Sequence, residues 1–188
     1  MPKRLIVAMS GASGAYAAEV LLDKSPWPTV LIASRWAREV YAHECGPFEK
    51  LAAKAGEVFA DDDLSAPPAS GSVPMAGMVV IPCSVHTLAS IATGLGNTLI
   101  TRAAHCQLKE KRPLVVCLRE TPLTVIDLEN AARVASAGAT LMPLCPPYYL
   151  FKGRPADNVA LSELMAAFVD RVLAQIGHRP AATWEDVR

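Results

Sequence analysis

Arg4-Leu5-Ile6-Val7-Ala8-Met9-Ser10, followed at once by Gly11-Ala12-Ser13-Gly14, decides how the rest of this chain is read. The first run is continuously apolar and of strand length, as in a strand buried on both faces. Small residues then make a tight turn, and Ala/Leu-rich spacing through Leu22 predicts a helix. Strand, turn and helix in that order open a parallel α/β sheet.

The same alternation continues outward. Pro26 and Pro28 break the chain before a second strand, Thr29 to Ala33, and Ser34 stands where a helix N-cap belongs, with the helix running to about Cys45. Met78 to Cys83 reads as the third strand, Ser84 through Ile91 as the helix after it, and Leu99 to Lys109 as another. Leu114 to Leu118 is the fourth strand, with Arg119-Glu120-Thr121-Pro122 at its C-terminal end. A helix from about Val125 to Ala137, a short strand near Thr140 to Leu144, a Pro/Tyr loop at 146–155 and a helix from about Asn158 to Ile176 complete the pattern. Residues 46–77 are less regular: a helical stretch near Phe48 to Ala55, the acidic Asp61-Asp62-Asp63, then Ala66-Pro67-Pro68-Ala69-Ser70-Gly71-Ser72. They read as a long connection, the kind of loop that is usually functional or mobile. The expected fold is a doubly wound parallel α/β sheet of Rossmann or flavodoxin type. It forms one α/β domain over 1–188, with a C-terminal helix and short tail from about 156.

Composition narrows the function. A chain of 188 residues is one domain's worth, and 52% hydrophobic against 19% charged excludes disorder. Eighteen Lys and Arg balance eighteen Asp and Glu, which argues against a nucleic-acid or anionic-membrane partner. The apolar runs fall far short of the ~20 residues of a membrane span. The basic start lacks a signal-peptide core, so the expected location is cytoplasmic. Five cysteines, an odd number with no C-x-x-C pair, indicate neither a disulfide framework nor a zinc knuckle, and read as buried thiols. So apolar a composition suggests subunit interfaces.

In such sheets ligands bind beyond the strand C-termini, where the polar segments of this chain collect. Gly11-Ala12-Ser13-Gly14 offers backbone N–H groups and a hydroxyl to an anion, or is simply a turn needing small residues. It is neither G-x-G-x-x-G nor G-x-S-x-G, so the dinucleotide and nucleophile-elbow signatures are absent. Ser84-Val85-His86-Thr87 can cap a helix or hold a ligand. Arg102 and Lys109, seven apart on one helix, and Arg119 could converge on a phosphate or be solvated. Arg119-Glu120 after a buried strand is either an ion pair or a functional pair, Glu120 then serving as a general acid/base. Tyr148 and Tyr149 form a lid or pack their loop, Glu44 near a helix end is ordinarily solvated, and His105 lacks further ligands at metal spacing.

Taken together, Gly11-Ala-Ser-Gly-Ala15, the 66–72 loop, Pro82-Cys-Ser84 with Thr87-Leu88, Arg102-Ala-Ala104, Leu108-Lys-Glu110 and Arg119-Glu-Thr-Pro-Leu123 resemble the UbiX-type flavin prenyltransferases, in that family's order. The resemblance spans roughly residues 4–176. It implies a flavodoxin-like sheet, a dodecamer, and metal-free transfer of a dimethylallyl group from dimethylallyl phosphate to reduced FMN. The prenylated FMN would serve a UbiD-type decarboxylase. By resemblance, Gly11, Ala12, Ser13, Ser34, Ser84, Val85, His86, Thr87 and Arg119 hold FMN. Lys109, Arg102, Tyr149 and Arg171 hold the donor phosphate, and Glu120, Glu44, Ser13 and Lys109 are the catalytic set.

Two departures stand out, His105 where the family has Asp and a Pro147-to-Pro155 segment longer than the family's, while Trp184 stands where family tails place a tryptophan over the flavin. Two other readings remain. An FMN-dependent cysteine decarboxylase would need an Asn-Met motif and a His in the first helix region, which this chain lacks. A non-catalytic FMN carrier would not need Glu44, Lys109, Glu120 and Arg171 together.

Overall fold

The computed structural model describes residues 3–179 and 183–187 of the chain. Six parallel strands form one sheet: β1 (Arg4–Met9), β2 (Thr29–Ala33), β3 (Glu57–Ala60), β4 (Met75–Cys83), β5 (Leu114–Leu118) and β6 (Thr140–Leu141). Their order is β3-β2-β1-β4-β5-β6. Every residue of β2 and β5 is buried, because a parallel sheet is covered on both faces.

Alternation along each strand splits the core in two. Leu5, Val7 and Met9 face the layer of α1 (Tyr16–Lys24) and α7 (Leu161–Ala174), joined by Tyr41 of α2 (Arg35–Glu44) and Leu51 of α3 (Phe48–Ala52). Ile6 and Ala8 face α4 (Val85–Ala92), α5 (Leu99–Lys109) and α6 (Val125–Ser136). β2, α5 and β5 match their sequence-predicted spans residue for residue.

β4 begins at Met75, ahead of its expected start at Met78, and one strand is not among those expected. Within the expected connection 46–77, Glu57–Ala60 pairs with β2, from Val30↔Glu57 to Ala33↔Ala60. Its Glu57 is held by an ion pair from Arg4 of β1. The strand also decides between the two expected sheet types: without it the order would be that of flavodoxin, and with it the order is the Rossmann 3-2-1-4-5-6. The loop that follows is pinned down. Its short 3₁₀ turn, Pro67–Ala69, lies on α5, and Arg112 donates to the carbonyls of Gly71 and Val73, both at 2.7 Å.

Candidate functional site

The strand order reverses between β1 and β4, and there the strand ends part. Ser10 ties that fork together. Its buried hydroxyl accepts from the Ser84 N–H at 2.8 Å and donates to the Pro82 carbonyl at 3.2 Å. Two helices start on either side. Ser34 Oγ accepts from the Ala37 N–H at 3.1 Å at the head of α2, and Ser84 Oγ accepts from the Thr87 N–H at 3.3 Å at the head of α4. Both serines therefore act as N-caps. Each keeps hydrogen-bonding capacity: Ser34 retains its proton, and Ser84 donates to Thr87 Oγ1 at 3.2 Å, leaving the threonine proton for a ligand.

These residues surround a cavity of about 610 Å³. Of the expected flavin set, Gly11, Ser34, Ser84, Val85, His86 and Thr87 line it, together with Glu120. Ala12, Ser13 and Arg119 lie outside its lining. Arg119 packs beside the turn, where a Cβ on Gly14 would come 3.9 Å from its Cγ. Arg119 and Glu120 are both exposed, and among the described residues they make no ion pair with each other; Glu120 accepts instead from the Thr121 N–H at 3.0 Å. Among the described residues no cation is paired with this carboxylate at the cavity.

The Gly-Ser turn behaves differently from an open anion cradle. Glu44, at the C-terminal end of α2, accepts from the N–H groups of Gly14 at 2.9 Å and Ala15 at 2.8 Å. It supplies the start of α1 with the cap that no neighbouring side chain provides. Gly14 itself has φ +91, and an added Cβ would meet Leu144 Cδ2 at 2.6 Å, so glycine is required there.

The expected donor-phosphate residues divide into two groups. Arg171 of α7 donates to the Tyr149 hydroxyl at 2.7 Å, so the pair converges despite the inserted segment. The two line a second cavity of about 420 Å³ with Met142, Cys145 and Phe168. Arg102 and Lys109 do not join them. α5 starts at the first cavity, where Thr98 and Thr101 contribute to the wall, and ends where the chain turns into β5. Eleven residues of helix span roughly 16 Å, so Lys109 lies toward the opposite end of the strands from the first cavity. There it pairs with Glu110 at 3.0 Å, close to Gly71. Arg102 donates to the Ala69 carbonyl at 3.1 Å.

Sequence reading missed several cavity residues: Arg35 and Trp36 of α2, Asp61, Ser90 of α4, and Asn97, Thr98 and Thr101 at the head of α5. Asp61 follows β3 directly and holds the head of α5: its carbonyl accepts from the Leu99 N–H at 2.6 Å and its carboxylate from the Ile100 N–H at 2.8 Å. Burial nonetheless pushes its carboxyl pKa up. Its place in a run of three aspartates hid it, since such runs are ordinarily solvated. Among the cysteines, Cys83, Cys106 and Cys117 are buried and Cys145 is exposed, all without disulfides; burial pushes the Cys83 thiol up to about 12. His105 is exposed on α5, and the Trp184 side chain lies outside the described residues.

Comparison with known proteins gives this geometry its relatives. The family described as Flavoprotein matches residues 1–175. The flavin prenyltransferase UbiX of Thermoplasma acidophilum is 39% identical over 176 residues, covering 93% of this chain and 94% of that protein. That of Deinococcus radiodurans is 42% identical over 180 residues, covering 94% and 89%. AnUbiX, solved with FMN and dimethylallyl pyrophosphate, superposes with TM-score 0.88 at 35% identity, covering 96% of this chain and 95% of that one. A dodecameric FMN-dependent UbiX-like decarboxylase from Escherichia coli O157:H7 gives TM-score 0.87 at 35% identity, covering 96% and 98%. Among the described residues no helix is long and apolar enough to cross a membrane. Identity at this level along nearly the whole length, on the same sheet, means that the chain belongs to the flavoproteins and, within them, to the UbiX flavin prenyltransferases.

Proposed function

We propose that this protein transfers the dimethylallyl group of dimethylallyl phosphate to reduced FMN, and that the prenylated FMN serves a UbiD-type decarboxylase. The observation that carries the reading is the meeting of Glu120 with a wall of helix-capping hydroxyls in one cavity of ligand size. That wall suits FMN. The hydroxyl protons of Ser34 and Thr87, and the N-terminus of α4, favour the anionic and hydroxylated tail of a mononucleotide. When bound, reduced FMN supplies the nucleophilic ring atoms.

The chain's own residues do the rest. Tyr149 and Arg171 bind the donor phosphate and stabilise the charge that grows on its oxygens as it departs. Arg119, exposed beside the Gly-Ser turn that carries Ser13, adds a further cationic contact. Glu120 holds and moves the proton that ring closure requires. Glu44 acts through the turn that it caps, fixing the backbone on which Ser13 stands. Lys109 and Arg102, placed away from Tyr149 and Arg171 in their own chain, act on a neighbouring copy's site in a homo-oligomer, a dodecamer by resemblance. The exposed apolar residues Val125, Ile126 and Leu128 of α6 suit such an assembly. Five thiols without disulfides fit a reducing, cytoplasmic setting.

The test is anaerobic incubation with reduced FMN and dimethylallyl phosphate, followed by mass spectrometry of the released flavin. A flavin heavier by one prenyl unit is expected. Unmodified FMN released from a protein that binds it would establish a carrier instead.

A further inference from the structure

α2 opens with Arg35-Trp36, and Trp36 is 66% exposed on the wall of the flavin cavity. An exposed tryptophan at a cavity calls for a partner, since its ring offers a large apolar face and water is a poor neighbour for it. Its position is fixed by backbone. Ser34 caps the helix two residues earlier, and a Cβ added to Gly11 would come within 2.5 Å of Trp36 Cβ, so the base of the side chain sits directly against the turn after β1. The Arg35 guanidinium lies 5.4 Å from the centre of the indole ring, a cation on one face. Around the indole the cavity wall is built mainly of hydroxyl and amide side chains such as Ser10, Thr87, Asn97 and Thr98. These can hold a ribityl chain and a phosphate but cannot cover the apolar face of a tricyclic ring.

We propose that Trp36 packs against the isoalloxazine ring of bound FMN and sets where that ring lies relative to Glu120 on the same cavity. The inference rests on the flavin-prenylation reading above and adds a residue that contacts the flavin substrate. Indole donates an electron to an excited flavin only near contact, so bound FMN in the wild-type protein should be weakly fluorescent.

The experiment titrates oxidised FMN into the wild-type protein and the Trp36→Phe and Trp36→Ala variants. It records bound-flavin emission, affinity, and size by sedimentation, and assays prenylation on the same samples. Several-fold recovery of bound-flavin emission is expected in both variants. Affinity should fall roughly tenfold in Trp36→Ala and less in Trp36→Phe, which keeps a ring. Wild-type emission and affinity in folded variants that still make the heavier flavin would overturn the role of Trp36 and leave the prenyltransferase reading standing. Dissociation of the oligomer with unchanged quenching would overturn it too, assigning the indole to a neighbouring copy. Failure of the wild-type protein itself to bind FMN would overturn both.

Discussion

Glu120 and Glu44 are both carboxylates near one end of the sheet, yet their hydrogen bonds give them different work. Glu44 is committed to two backbone N–H groups, whereas Glu120 accepts from the N–H of its own neighbour and otherwise faces the cavity. Replacing Glu120 by Gln keeps shape and that acceptor while removing the exchangeable proton. FMN affinity should then survive while single-turnover prenyl transfer slows by ~10²–10⁴-fold, the usual loss for a general acid/base. Wild-type turnover in the variant would refute the role. Ser10, Ser34, Ser84 and Glu120 were legible in the sequence because each follows a strand. The partner of Glu44 was not: no spacing rule links residue 44 to the N–H groups of residues 14 and 15, which only the packing of α2 beside the turn brings together.

Among the elements, the runs that are apolar throughout declared themselves, since only a doubly covered strand tolerates such a run. β3 did not, because Glu-Val-Phe-Ala is short, alternates between half-buried and exposed, and lies at the sheet edge. What it positions is Asp61, which joins the end of β3 to the start of α5. Burial raises this carboxyl's pKa in the folded state, although the helix N-terminus and its N–H partner favour the charge. The folded protein therefore holds that proton more tightly than the unfolded chain. Its contribution favours folding below the ordinary carboxylate pKa and is lost as pH rises through the raised value. Asp61→Asn keeps an acceptor for Ile100 and removes the titration. The variant should melt above wild type near neutral pH, with the gap closing as pH falls through the carboxylate range. A gap that stays constant or widens on acidification would contradict the burial argument.

At the scale of the whole molecule, the separation of Lys109 from Tyr149 and Arg171 is the telling feature. Lys109→Ala and Glu120→Gln should each be inactive as pure assemblies. Oligomers formed by refolding the two together should regain roughly a quarter of wild-type activity, because a site drawing on two copies finds both native residues in about that share of random pairings. No recovery in mixed assemblies would place Lys109 at its own copy's site or outside the reaction. The strand order of this sheet is shared with dinucleotide dehydrogenases, whose pyrophosphate rests on the N–H groups at the head of the first helix. Here Glu44 already sits on those groups. A pyrophosphate arriving at the turn would meet a carboxylate instead of bare donors, so the dehydrogenase sheet is here without the open cradle that dinucleotide binding uses.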